Sequence, residues 1–127
     1  MFSGCRTAKT SPIHTLCLYA DLDKTGGKEV VLTENGIRQS IMVVKFREEI
    51  YAYVNSCPHA RAPLNWQEDR FFDLSRTSLL CATHGALFDV PSGRCVAGPA
   101  TGRALTPVAI KVDGDRILTD LAALPWG

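Results

Sequence analysis

Two short stretches constrain this chain more than anything else in it: Cys57-Pro58-His59 and Cys81-Ala82-Thr83-His84. Each supplies one soft thiolate and one imidazole, the first spaced C-x-H and the second C-x-x-H-G, with residues 60–80 between them. A lone Cys or His in a β protein is ordinarily a packed or solvated side chain, and that plain reading is kept for His14. It fits the two pairs poorly. Both fall in turn-rich segments, and they take two of the three histidines in the chain.

Composition narrows the setting. A chain of 127 residues forms one domain and can bury a core without disulfide staples. A hydrophobic content of 46% against 21% charged residues belongs to a globular chain rather than a disordered one. Fourteen basic residues nearly balance thirteen acidic ones, so no electrostatic footprint for nucleic acid exists. Uninterrupted apolar runs such as residues 41–44 fall far short of the roughly 20 needed to cross a bilayer. Met1-Phe2-Ser3-Gly4-Cys5 is faintly similar to a lipoprotein cleavage site but lacks the preceding apolar stretch. The expectation is a cytoplasmic protein without membrane association. Five cysteines, an odd count in such a setting, favour metal ligation by a subset over a disulfide framework.

In chain order, residues 1–12 are small, polar and unpatterned and read as a tether, and residues 13–127 as a single domain. A strand is expected over 13–20, then a turn-rich loop over 21–27. Residues 29–33 and 37–46 are β-rich runs joined at Asn35-Gly36, a strong hairpin signal. Residues 50–54 lead into the first Cys/His pair. Residues 60–78 read mostly as loop, with a short hairpin around Phe71-Phe72. Leu79-Leu80 delivers Cys81, residues 87–90 leave it, and Pro91-Ser92-Gly93-Arg94 is a turn. Residues 108–112 and 116–119 flank Asp113-Gly114, a second hairpin signal. No stretch of a dozen residues carries a clean helical apolar period. The expected class is all-β, with short antiparallel strands in a small sandwich or partly open barrel.

Two metal readings suit the ligand pairs. A closed structural zinc site would use two Cys and two His around one tetrahedral ion. Paired zinc ligands are usually separated by two to four residues, because the loop must curl for both to reach the ion. Side chains at i and i+2 of an extended segment stand roughly 6 to 7 Å apart at their roots. Two ligands of one tetrahedral ion must lie only about 3.5 Å apart. The C-x-H spacing is therefore easier to satisfy when Cys57 and His59 hold different metals of one small cluster.

The combination of C-P-H with C-x-T-H-G, followed by Phe88-Asp89, Gly93 and Gly98-Pro99, resembles the Rieske iron–sulfur domain, in its ferredoxin-like form. The likeness runs from about residue 13 to about residue 120. It implies a Rieske-like fold with a cluster-binding subdomain of two hairpin loops, and a [2Fe–2S] cofactor. In that family two cysteines bind one iron and two histidines the other. By resemblance Cys57 and Cys81 hold the inner iron, and His59 and His84 the outer one. Leu64 matches the apolar residue that shields the first loop, and Gly85 the glycine that turns the second. Gly98-Pro99 matches a third, covering loop. One departure is an insert between the motifs, residues 65–78, expected to lie beside the exposed histidines.

Charge counting explains the histidines: two ferric ions, two sulfides and two thiolates sum formally to about zero, whereas four thiolates leave about minus two. A neutral cluster accepts an electron more easily. High-potential relatives carry an additional disulfide and hydroxyl donors. The positions matching the disulfide are Ala62 and Thr83, and those matching the hydroxyl donors are Ala86 and Phe88, so neither device is present, which implies a potential near the low end of the Rieske range, about −150 mV.

What the resemblance implies for function is a carrier of one electron between a reductase and a terminal oxygenase, not an enzyme in itself. Only His14 remains as a spare histidine, too few for the two-His-one-carboxylate iron site of an oxygenase. Two alternatives stay open: the small accessory subunit of an assimilatory nitrite reductase, which often lacks the ligands, and a zinc-stabilised binding module without redox role. Of the other notable residues, Cys17 and Cys95 read as buried free thiols and Cys5 as incidental. Trp66 suits either an interface anchor or a core lid, and Asp89 a hairpin brace.

Overall fold

The computed structural model describes residues 13–23, 25–34, 36–56, 64–65, 69–73, 75–81, 85–98 and 102–120. Among these residues nine strands form: β1 (Ile13–Leu18), β2 (Gly27–Glu34), β3 (Ile37–Phe46), β4 (Glu49–Val54), β5 (Ser78–Leu80), β6 (Leu87–Asp89), β7 (Cys95–Ala97), β8 (Ile110–Asp113) and β9 (Arg116–Asp120). They form three three-stranded sheets, ordered β1-β9-β8, β2-β3-β4 and β5-β6-β7, with every pairing antiparallel.

β3 explains why the sheets stack as they do. Its run Ile41-Met42-Val43-Val44 is fully buried at four consecutive positions. Successive strand residues point to opposite faces, so such a run requires cover on both. Met42 and Val44 enter one core with Leu64, Phe71, Leu79, Cys81, Ala86, Phe88 and Cys95. Ile41 and Val43 enter a second with Leu16, Cys17, Leu22, Val108 and Ile117. β4 repeats the division, Tyr53 going to the first core and Ala52 to the second. The middle sheet is thus covered by β5-β6-β7 on one face and by β1-β9-β8 on the other. Burying each large apolar side chain contributes roughly 1.5–3 kcal/mol, so neither face can be left open.

The expected hairpins are present with small shifts. Glu34 pairs with Ile37, leaving a two-residue link in which Gly36 has φ +82°. Asp113 pairs with Arg116 as the last rung of β8–β9, so the turn is Gly114-Asp115, one residue beyond the expected Asp113-Gly114. The hairpin around Phe71-Phe72 exists: Phe72 bridges Leu79, and the Leu80 amide donates to the Phe71 carbonyl at 2.8 Å.

Two expectations need correction. The strand over 13–20 stops at Leu18, and Tyr19–Leu22 forms a single 3-10 turn in which the Asp21 carboxylate accepts the Leu18 amide at 2.9 Å. Val108 is not in the last hairpin. Residues 106–108 run along β4 instead, the Val108 amide donating to Ala52 and the Val54 amide to Thr106. Their pairing covers an edge that would otherwise expose its amides. The insert is anchored in the fold: Phe71 is fully buried, and Phe72 stacks on Phe46 with ring centroids 6.4 Å apart. Asp69 ties the insert to β2 by accepting the Glu29 amide at 2.7 Å, while Thr25 donates to the Asp69 carbonyl. The tether over 1–12 lies outside the described residues, as does Trp66.

Candidate metal centre

The second Cys/His loop rises from the β5–β6 hairpin. Cys81 directly follows β5 and is fully buried. Its amide donates to the Ala86 carbonyl at 2.8 Å, and the Gly85 amide donates back to the Cys81 carbonyl at 2.9 Å. Gly85 takes φ +76°, a conformation that glycine adopts without penalty. The neck of the loop is therefore closed by two short backbone hydrogen bonds, with the cysteine on its buried side. His84 lies outside the described residues.

The first loop leaves β4 and is closed by a side chain. Asn55 is 4% exposed, and its Oδ1 accepts the Leu64 amide at 2.9 Å. Its Nδ2 donates to Asn65 Oδ1 at 3.0 Å, Ser40 Oγ at 3.2 Å and Glu29 Oε2 at 3.3 Å. Ser40 Oγ donates to Glu29 Oε2 at 2.8 Å and Asn65 Nδ2 to Glu29 Oε1 at 3.3 Å. Asn55 thus grips both ends of the segment that carries Cys57 and His59, two residues that lie outside the described ones. Sequence reasoning missed this network. Its sole cue was an asparagine just before the first motif, with partners 10, 15 and 26 positions away.

Leu64, where the first loop ends, shares a core with Cys81 and Ala86, where the second begins and ends. The two necks are thereby brought to one body of packed side chains. The third loop arrives there too: Gly98, at φ +95°, lies against Ala86 so closely that an added Cβ would stand 2.8 Å from its Cα. Pro99, Ala62 and Thr83 lie outside the described residues. Ala86 and Phe88 are fully buried and carry no donor on their side chains.

Around this centre the remaining groups are structural. Tyr53 donates its hydroxyl to the Val90 carbonyl at 2.6 Å and the Pro91 carbonyl at 3.0 Å. Burial first, and the Asp89 charge second, push its phenol up to about 12. Asp89 braces the β6–β7 turn by accepting from the Ser92 amide and hydroxyl, as expected. Cys17 and Cys95 are buried free thiols. Burial, reinforced by Asp21, raises Cys17 to about 11, and such a thiol stays protonated and inert. His14 is an exposed residue of β1.

The donors expected to hold a metal group are the thiols of Cys57 and Cys81 and the imidazoles of His59 and His84, of which only Cys81 lies among the described residues. Cys81 is on the packed side of its loop, where a thiolate needs a cation to offset the loss of solvent. Cys81 therefore fits a group with a buried sulfur side.

Comparison with known proteins agrees. A family model described as the Rieske [2Fe-2S] domain matches residues 14–117. The ferredoxin component of a naphthalene 1,2-dioxygenase system from Pseudomonas aeruginosa is 35% identical over 74 residues, covering 58% of this chain and 65% of that protein. Among solved structures, the ferredoxin of carbazole 1,9a-dioxygenase from Nocardioides aromaticivorans IC177 superposes with a TM-score of 0.64 at 27% identity, over 84% of this chain and 95% of its own. A protein described as the small subunit of an NADPH nitrite reductase superposes at 0.60 with 19% identity, covering 84% and 96%, a likeness of fold alone.

Proposed function

The chain belongs to the Rieske [2Fe-2S] domain family, and from that premise we propose that it is a ferredoxin carrying one electron at a time from a reductase to a terminal oxygenase. Cys57 and Cys81 would hold one iron, and His59 and His84 the other. When bound, a cluster of this kind supplies a reversible one-electron site whose potential is raised by its two neutral imidazoles. The chain's own part is to hold four ligands at fixed positions. Cys81 does so from the packed interior, its loop closed by the Ala86 and Gly85 hydrogen bonds. The imidazoles of His59 and His84 would be the edge from which a partner collects the electron.

The observation that carries this reading is the convergence of both ligand-loop necks, Leu64 from one and Cys81 from the other, on a single core. Relatives that are ferredoxins of dioxygenase systems favour an oxygenase as acceptor. The nitrite reductase alternative has only a likeness of fold, and the zinc module is the less fitting choice for a C-x-H pair. Among the described residues no helix is long and apolar enough to cross a membrane, and we place the protein in the cytoplasm.

Ala86 and Phe88 offer no hydroxyl to a sulfide or a cysteine sulfur, so the potential is expected near −150 mV, the low end of the Rieske range. Protein purified without oxygen should be brown, contain iron and acid-labile sulfide, and bleach on dithionite. Colourless protein with stoichiometric zinc would sink the proposal.

A further inference from the structure

We propose that Asn55 is a positioning residue for the metal centre, and that the Glu29 carboxylate sets which way its amide points. The inference rests on the reading of residues 57–63 as a ligand loop. Asn55 lies two positions before Cys57, and through Oδ1 it holds the amide of Leu64 just beyond that loop at 2.9 Å. One buried side chain therefore spans the mouth of the segment that carries Cys57 and His59.

The amide of an asparagine can be turned over, exchanging its acceptor for its donors. Here the surroundings allow one orientation. On the Nδ2 side stand three oxygens: Glu29 Oε2, Ser40 Oγ and Asn65 Oδ1. Glu29 also accepts from Ser40 and Asn65, so those two groups turn their remaining lone pairs toward Asn55. Turning the amide over would set Oδ1 against this array and Nδ2 against the Leu64 N–H. Both contacts would then be repulsive, in a place with almost no water to relieve them. Glu29, an acceptor only, enforces the orientation that closes the loop. A glutamine there could donate and would weaken that preference.

The test uses the intact protein prepared without oxygen, with two readouts. The first is amide hydrogen exchange at Leu64, which needs no cluster to be meaningful. Glu29→Gln is expected to lower Leu64 protection about tenfold and Asn55→Ala to remove it, since each weakens or deletes one hydrogen bond. The second is the EPR spectrum and midpoint potential of the dithionite-reduced protein. Both are expected to shift in Asn55→Ala, with a smaller shift in Glu29→Gln. Asn55→Asp places a carboxylate against Glu29 and is expected to be the worst single variant. Adding Glu29→Gln to it relieves the repulsion, keeps an acceptor for Leu64, and is expected to restore the spectrum.

A purely structural role predicts a lower melting temperature with wild-type EPR and potential in all variants, and that result overturns the inference. So does unchanged Leu64 protection in Asn55→Ala. Should Asn55→Ala fail to load or fold, the Asn55→Asp/Glu29→Gln pair decides, and no recovery over Asn55→Asp alone counts against the proposal. Wild-type protein without iron and sulfide would instead refute the reading of the loop, while the exchange data still report on the Asn55 to Leu64 bond.

Discussion

A Cβ on Gly98 would stand 2.8 Å from the Cα of Ala86, closer than real side chains come to a backbone atom. The base of the third loop is therefore seated directly on the neck of the second. Gly98→Ala must either push these two loops apart or distort a backbone held at φ +95°. We expect a loss of about 2–5 kcal/mol, from overpacking of roughly 1–3 and left-handed strain of roughly 1–2. Gly114→Ala, at φ +63° with nothing within 4 Å of the added carbon, bears the strain alone and should cost only about 1–2 kcal/mol. Urea unfolding of the two variants separates the terms, and equal losses would show that the close approach is not real.

Cys81→Ser is expected to abolish the visible absorbance and to destabilise the fold, because metal binding and folding are coupled when a ligand is built into the core. Cys95→Ser, a change at another buried thiol of the same core, should keep the absorbance. Iron and sulfide analysis of both proteins provides the check.

Tyr53 should ionise only near pH 12. A raised folded pKa means that the folded state keeps a proton which the unfolded chain has released. The associated stability is present below pH 10, near the unfolded value, and is lost as pH rises toward 12. Absorbance titration at alkaline pH, paired with urea midpoints over the same range, tests this. Tyr53→Phe removes the bonds to Val90 and Pro91 and should cost about 1–2 kcal/mol at neutral pH while flattening the alkaline decline.

The two-residue turn between β3 and β4 is made by Arg47 and Glu48, at φ +51° and +69°. Left-handed backbone at both central positions is the geometry that favours Asn-Gly. Arg47→Asn with Glu48→Gly should stabilise the protein by about 1 kcal/mol. The relieved strain of roughly 1–2 kcal/mol per residue outweighs greater freedom in the unfolded chain and the loss of an exposed Arg47–Phe46 cation–π contact at 4.9 Å, which is worth about 0.5 kcal/mol. A melting temperature at or below that of the parent protein would contradict the assignment of strain.

How far the sequence could be read follows from how far apart the interacting residues lie. The paired spacings of Cys57 with His59 and Cys81 with His84, and the turns expected at 35–36 and 113–114, the second of which lies one residue further on at 114–115, are local chemistry. A turn type or a ligand pair is imposed by residues within two or three positions of one another, and the all-β class followed from them. Tertiary structure decided the rest. Four consecutive buried residues in β3 have meaning only once a sheet lies on each face, and the burial of Phe71 and Phe72 is decided only when Phe46 and the first core receive them. The Glu29–Ser40–Asn55 network forms because antiparallel register sets β2 beside β3 and β3 beside β4. Seating Gly98 on Ala86 likewise needs the β6–β7 pairing. Such contacts depend on strand register, which the whole sheet determines together, and no stretch of a dozen residues carries that information.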